Sequence, residues 1–592
     1  MSEEEKKVMK NFSLEDEELI RAFLFTNPHG NDSFVYPQSL VAGEELSPLM
    51  SAYSRTHVPM QVRVLQFLDS EKREQTKAML PHIKPLMEIF RLPDGTLKIS
   101  RKTTGFNKEW VLTHGHSSIK EETNLFGHCE HISERAQKTI TGHPLSKPQV
   151  KSTRYISYGN VLESSLEDED ILSLPDADRF LEVISYMNRK YVEVSDRLAD
   201  MVFKHQDTKK VVEYLKRPEI VEMEVNKWVE KKQNIDEDYI PKPDELEKQR
   251  KRILKGLEDP GVRKAVGKFV FDYSRSYLLP LTRTSLGFSV DARTLEDVLT
   301  DMISHPRKED QKRGQSLWNE AKKVAPVLLG EKSHVNVDMW KVKNEIELRV
   351  YAQSRFGNIE ARNRGPGTVN LITPQKIEMY TDRFNAALVI LPYVDAAFED
   401  IFAQVSEKDV KEILQRAHEY RGEHDVIHPA ISHGGLMVEM VMAYHGYRDM
   451  FRHRRGSRSI QLLSTRLGFE VPEILKIFGM DEEYMQDMQR CAEAYEEARK
   501  TDPFVAEKLV PFGANCRAVH SWQVNQIGYV GKLRTNISRG NLSYVYMARD
   551  LMKEMEKIMP ETAKYLKWGK EDYPAHLWKK GYPLFDAEVR DK

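Results

Sequence analysis

"QVKSTRYISY" occupies residues 149–158 and "QLLSTRLGF" residues 461–469, so a chain of 592 residues carries Ser-Thr-Arg twice, at 152–154 and 464–466. Each copy follows a stretch that reads as helical and holds basic residues. A three-residue match is cheap at this length and becomes informative only if other positions keep the register. A shift of 312 residues (464 minus 152) aligns the two copies and also brings His116 onto His428 and Ile119 onto Ile431. Looser matches extend the order: "AYSR" (52–55) with "AQSR" (352–355), and "SYLLPL" (276–281) with "EKLVPF" (507–512). The order AxSR, His, Ser-Thr-Arg, apolar-Pro-apolar is kept in both halves. Self-similarity at a fixed offset is the mark of an internal repeat, and it predicts two diverged copies over residues 1–325 and 326–592.

Length alone calls for more than one core. The composition is 40% hydrophobic and 30% charged with a net charge of −2, which is ordinary for a globular chain. That balance argues against bulk binding to nucleic acid or acidic membranes and leaves room for local basic patches. No apolar run approaches the roughly 20 residues that span a bilayer. The opening "MSEEEKKVMKNF" is acidic and polar, unlike a signal peptide. Cys129, Cys491 and Cys516 are odd in number, scattered and outside any CxxC spacing, so a reducing cytoplasm is expected.

Apolar residues return at three- and four-residue steps over 178–202, 409–420 and 544–566, which predicts helices there and a mostly helical chain. Extended pieces are expected near "MQVRVLQFL" (60–68) and "EIELRVYA" (345–352). The charge-dense segment at about 204–264 reads as a solvated helical insertion. The Gly- and Pro-punctuated stretch at 355–370 reads as a loop.

The repeated order resembles the flavin-dependent thymidylate synthases, also called thymidylate synthase complementing proteins. In that family a Gly-His-x-Ser segment opens a helix, an Arg-His-Arg motif stands seven residues before a Ser-x-Arg, and a Leu-Pro turn precedes an arginine-bearing helix. Here "THGHSSIKEE" (113–122) is similar to the first segment and "STRY" (152–155) to the Ser-x-Arg. The resemblance implies an α+β fold: two tandem thymidylate synthase-like units, helix-rich with a small antiparallel sheet. In the first half "GHP" (142–144) stands where the family has Arg-His-Arg, so His143 survives without its arginines. In the second half a literal "RHR" stands at 452–454, nine residues before Ser464, while "RRG" (454–456) takes the seven-residue position. Either two residues are inserted there or the literal match is partly accidental. From Pro511, 23 residues lead to Arg534, which matches the family's nucleotide-facing arginine. The corresponding "DMIS" (301–304) of the first half has none.

Guanidinium forks and hydroxyls are what a nucleotide phosphate needs, because arginine donates bidentate, charge-assisted hydrogen bonds. Ser464, Arg466 and Arg534, and also Ser152 and Arg154, are the candidate substrate-binding residues, with Arg466 and Arg534 the candidate catalytic pair. The resemblance implies a flavin site on His116, His143, His428, Arg452, His453, Arg454 and Arg455. It also implies FAD as cofactor, with NADPH and methylenetetrahydrofolate as cosubstrates, for reductive methylation of dUMP to dTMP without a nucleophilic cysteine. Family sites lie between subunits of a homotetramer, so a duplicated chain is expected to pair into a homodimeric pseudo-tetramer. Three readings compete with a synthase: Ser and Thr as plain helix caps beside surface arginines, a retained pocket that binds another substrate such as RNA, and an inactive structural homologue. His128 and His131 lie three apart on an expected helix, but no HExxH or second Cys pair supports a metal.

Overall fold

A computed structural model describes residues 15, 33–37, 49–51, 53–56, 58–60, 62–63, 70–92, 94–114, 117–234, 237–335, 367–372, 381–391, 398–418, 431, 435–535 and 541–570. Two antiparallel sheets of four strands organise it. The first is built from β1 (Ser33–Pro37), β2 (Asn124–Ser133), β3 (Lys147–Val150) and β4 (Arg283–Asp291), in the order β1-β2-β4-β3. The second is built from β5 (Thr368–Ile372), β6 (Gly435–Ala443), β7 (Ser457–Ile460) and β8 (Asn515–Gln523), in the order β5-β6-β8-β7. The second sheet therefore repeats the strand order of the first, and helices enclose both. Along β8 the residues Cys516, Ala518, His520 and Trp522 turn into the core while Arg517, Val519 and Ser521 are half-exposed, the period of two that a one-sided strand requires.

Strand pairing sets the offset between the halves more securely than letter matches do. Lys147 lies opposite Ser289 in one sheet and Ser457 opposite Ser521 in the other. The Lys151 N–H donates to Ser285 O, and the Gln461 N–H to Arg517 O. Both comparisons give an offset of 310 for the β2–β3 region (457 minus 147, 461 minus 151) and 232 for β4 (521 minus 289, 517 minus 285). The difference, 78 residues, is extra chain in the first half between β3 and β4. Helices Gln206–Leu215, Pro218–Gln233 and Pro243–Gly256 lie in it, and the last of these buries no residue. The charged insertion expected at 204–264 is thus helical and largely solvated.

The long helix Ala177–Lys204 buries Phe180, Ile184, Met187, Tyr191, Val194 and Leu198, the three- and four-residue stripe of an amphipathic helix. It binds the second half through Tyr186 Oη, which donates to Asp487 Oδ1 at 2.6 Å, and through Lys190 and Glu483 at 2.6 Å. One apolar core runs through both halves and includes Ile184, Val266, Tyr484, Met488, Trp522 and Met555. A second core, around Leu125, Leu286, Leu299 and Leu317, belongs to the first half. The two apolar-Pro turns lie side by side: Phe512 N–H donates to Leu278 O and Gly513 N–H to Ser276 O, each at 2.9 Å. A Cβ on Gly513 would stand 1.9 Å from Tyr484 Oη, so this close approach requires glycine.

Several expectations change. Both Ser-Thr-Arg copies follow strands, β3 and β7, and sit in turns rather than at helix starts. His128 and His131 lie on β2 rather than on a helix. Met60, Val62 and Arg63 are helical, not extended, while 345–352 lies outside the described residues. Of the expected loop at 355–370, residues 368–370 begin β5, and 355–366 lie outside the described residues. The helix expected over 544–566 is divided at Pro560 into Leu542–Ile558 and Pro560–Ala563, because proline brings no N–H to the ladder. Among the described residues no helix is long and apolar enough to cross a membrane.

Candidate functional site

With the offset of 310, residues 452–454 fall on 142–144, so His453 of the literal Arg-His-Arg is the counterpart of His143. The two additional residues are Leu462 and Leu463, between Gln461 and Ser464. The match at 452–454 is therefore in register, and the insertion follows β7 instead of preceding it.

The basic segment 448–458 of the second half clasps the first half. Arg448 Nη1 donates to Thr153 Oγ1 at 2.8 Å, and its Nη2 pairs with Glu134. Arg458 Nη2 donates to Gly142 O at 2.6 Å, and Arg454 Nη1 to Ser146 O at 3.1 Å. The first Ser-Thr-Arg is thereby held against the second half's Arg-His-Arg. Gly456, at φ +115°, makes the turn into β7; a Cβ there would meet Ser521 O at 2.0 Å.

Arg154 grips Asp272 with two parallel hydrogen bonds, Nε–Oδ1 at 3.1 Å and Nη2–Oδ2 at 2.9 Å. Its Nη1 reaches Tyr544 Oη of the second half at 3.5 Å. Arg275 Nη2 bridges Asp272 at 2.9 Å and Asp449 at 3.4 Å. Arg534 donates through Nε to His453 Nε2 at 2.9 Å and through Nη2 to Asp449 O at 3.2 Å, with its guanidinium over the Tyr544 ring. Arg154 and Arg534 thus share Tyr544 and the Asp449 neighbourhood from opposite halves. Burial pushes Asp272 and Asp449 upward, but arginines overrule it and hold both below the usual carboxylate range.

Burial, helped by Arg534, lowers His453 to about 3, so its ring is neutral. Because arginine only donates, Nε2 must be the acceptor and Nδ1 carries the proton. Gln526 Nε2 lies 3.2 Å from Nδ1, so a protonated Nδ1 requires this side-chain amide to be turned with its oxygen as the acceptor. This chain of donors aims Arg534.

Cations outnumber carboxylates in this region. Burial, then Arg448 and Arg452, lower Lys138 to about 7. Arg452 is exposed and makes no ion pair among the described residues, and Arg455 is exposed as well. Among the described residues, buried His445 has no hydrogen-bond partner on either ring nitrogen, nor have Arg448 Nε and Arg454 Nε. Unpartnered N–H groups among crowded cations suit an anionic ligand, and a flavin diphosphate is of that class.

The other candidates are placed apart. Arg466 is 55% exposed and pairs with Glu496 at 2.7 Å, so Arg466 and Arg534 are not brought together. Ser464 lies beside it in the same turn. Ser152 Oγ accepts the Arg154 N–H at 3.3 Å. His143 lies 3.8 Å from Asp297, and its buried Nδ1 has no partner among the described residues. His116 and His428 fall outside the described residues. No grouping of His, Cys, Asp or Glu fit for a metal exists among the described residues. Asp272, Arg275, His445, Asp449, Gln526 and Tyr544 were not foreseen; only Asp449, inside the basic run at 448–459, carried a sequence signal.

The model of the family described as thymidylate synthase complementing protein matches residues 71–327. A UPF0159 protein of Chlamydia muridarum is 24% identical over 307 residues, which cover 50% of this chain and 57% of that one. Its counterpart in Chlamydia pneumoniae is 23% identical over 306 residues, with the same coverage. The match thus spans just over half the length of these relatives. A UPF0159 protein of Thermoplasma acidophilum is 21% identical over 489 residues, 80% of this chain and 90% of that one. Among solved structures, a UMP/dUMP methylase from Streptomyces cacaoi bound with 5-Br dUMP aligns with a TM-score of 0.25 and 12% identity, covering 33% of this chain and 93% of that chain. Residues 71–327, under half of the chain, are thus what is similar to the thymidylate synthase complementing proteins.

Proposed function

We propose that the protein is an FAD-dependent thymidylate synthase-like methyltransferase built from two diverged copies of one unit, 1–325 and 326–592, and working in the cytoplasm as a homodimeric pseudo-tetramer. It converts dUMP, methylenetetrahydrofolate, NADPH and a proton into dTMP, tetrahydrofolate and NADP+. The observation that carries this reading is the convergence of Arg154 from the first Ser-Thr-Arg with Arg534 and His453 from the second half, around Tyr544 and Asp449.

Ser152 and Arg154 bind the nucleotide phosphate from the first half. Arg534, oriented by His453, faces the pyrimidine and stabilises the negative charge that grows on the ring as its C5 attacks the one-carbon unit. Neutral His453 keeps Arg534 in place without adding a charge. Arg452, Arg454 and Arg455, with Lys138 beside them, hold the flavin's diphosphate. When bound, FAD supplies the hydride chemistry that completes the methyl group.

The test is the visible spectrum of purified protein given FAD. A flavin band that NADPH bleaches supports the reading; folded protein that takes up no FAD sinks it. Rescue of a thymidine-requiring host by the wild-type chain, and not by Arg534→Ala, is the expected companion result.

A further inference from the structure

The repeat relates two places at the junction of the halves, and they have diverged in opposite senses. One is the arginine cluster already described. The other holds the counterparts under the offsets of 310 and 232. There Glu507 stands for Arg275, Arg135 for His445, Thr139 for Asp449, Met302 for Arg534 and Lys508 for Ser276.

In that second place every principal charge has a partner. Lys508, fully buried, donates to Asp168 Oδ1 at 2.9 Å and Oδ2 at 2.8 Å, and to Asp170 and Glu309 at 2.8 Å each. Glu507 accepts from Arg135 Nε at 2.5 Å, from Arg307 Nη1 at 3.4 Å and from the Leu463 N–H at 2.8 Å. Arg307 in turn grips Asp310, which also accepts from Thr139 at 2.7 Å. Leu463 is one of the two inserted residues, and it is buried against Glu507 while Leu462 is exposed. The insertion carries the following Ser-Thr-Arg outward, and Arg466 ends on Glu496 at the surface. The arginine cluster, by contrast, keeps exposed Arg452 and unpartnered, buried His445.

We propose that the chain retains one anion site, at Arg154, Arg452 and Arg534, and that its second, repeat-related site has become a buried ionic lock, centred on Lys508 and Glu507, that joins the halves. This rests on reading the arginine cluster as one site for nucleotide and flavin together, with the nucleotide's phosphate and the flavin's diphosphate side by side in it. Each chain then works with one site: the first half supplies the Ser-Thr-Arg side and the second half the Arg-His-Arg side. The second Ser-Thr-Arg lies outside any site.

Two probes, sodium pyrophosphate and dUMP, are titrated calorimetrically into the full-length protein and its Arg534→Ala, Arg452→Ala and Arg466→Ala variants, with folding checked by circular dichroism. The expected result is pyrophosphate binding that Arg534→Ala or Arg452→Ala weakens at least 10-fold and Arg466→Ala leaves unchanged. Exposed Arg452 serves as the fold-neutral variant should Arg534→Ala unfold. Pyrophosphate binding that survives both Arg534→Ala and Arg452→Ala, binding lost with Arg466→Ala, or no pyrophosphate bound by folded protein overturns the inference. If pyrophosphate binds as expected and dUMP does not, the nucleotide reading fails and the single-site inference stands.

Discussion

Replacing Lys508 with Met removes the one ammonium that three buried carboxylates share. Lys508 has no exposed surface, and Asp168, Asp170 and Glu309 are all buried. Removing one partner of a buried ion pair typically costs about 3–5 kcal/mol, because the charge left behind keeps its desolvation penalty. Arg283 remains beside Asp168 at 3.3 Å and beside Glu309, which moderates the loss toward the lower end of that range. The pH dependence is the sharper check. In the wild-type protein burial raises Glu309, but Lys508 and Arg283 reverse this and bring it down to about 2. A depressed carboxylate stabilises the fold above its unfolded value of about 4.3, and that stabilisation fades only as pH falls toward 2. Without the ammonium, burial dominates: Glu309 rises above its unfolded value, and Asp168, which burial already raises despite Lys508, rises further. The folded variant then binds more protons than the unfolded chain, so its stability increases as pH falls. Urea unfolding followed by near-ultraviolet circular dichroism at pH 7.5 and pH 5 reads both effects. The expected deficit is about 3–5 kcal/mol at pH 7.5 and clearly smaller at pH 5. A deficit below about 1 kcal/mol, the range of an exposed pair, or one that grows on acidification, refutes the reasoning.

Other consequences follow from the same contacts. Arg154→Ala removes a charge-assisted donor set and weakens nucleotide binding by about 10- to 100-fold, the range of 1.5–3 kcal/mol for bonds to charged groups, as an equilibrium titration with dUMP will read. Gly513→Ala drives a methyl group into Tyr484 Oη and costs about 1–3 kcal/mol by overpacking; in a Tyr484→Phe background the cost shrinks, measurable by urea unfolding. Burial pushes the Cys491 and Cys516 thiols far up, so neither reacts with a thiol reagent at pH 8 until the protein unfolds.

The helical parts were legible where burial imposed a period. The stripe from Phe180 to Val202 follows from one face meeting a core, and the structure has it. The antiparallel sheets came only through the family resemblance: β3 and β7 are four residues each, too short for alternation to register. The basic run at 448–459 forms a short helix, a turn and an edge strand, and Arg454 and Arg458 are spent on carbonyls of the other half. Letter matching gives an offset of 312 because it locks onto identities, while hydrogen-bonded strands pair Lys151 with Ser285 and Gln461 with Arg517 and give 310. Arg534 was found from its spacing to Pro511. Asp272 had no signal: 118 residues separate it from Arg154, and only the folded chain joins them.

The most direct test of the account is tritium release from dUMP labelled at C5, because methylation there must displace that hydrogen. With FAD, NADPH and methylenetetrahydrofolate, the wild-type protein is expected to release tritium, with Arg154→Ala and Arg534→Ala reduced by at least 100-fold and Lys508→Arg still active. Folded, FAD-loaded protein that releases no tritium, or release that survives Arg534→Ala undiminished, contradicts it.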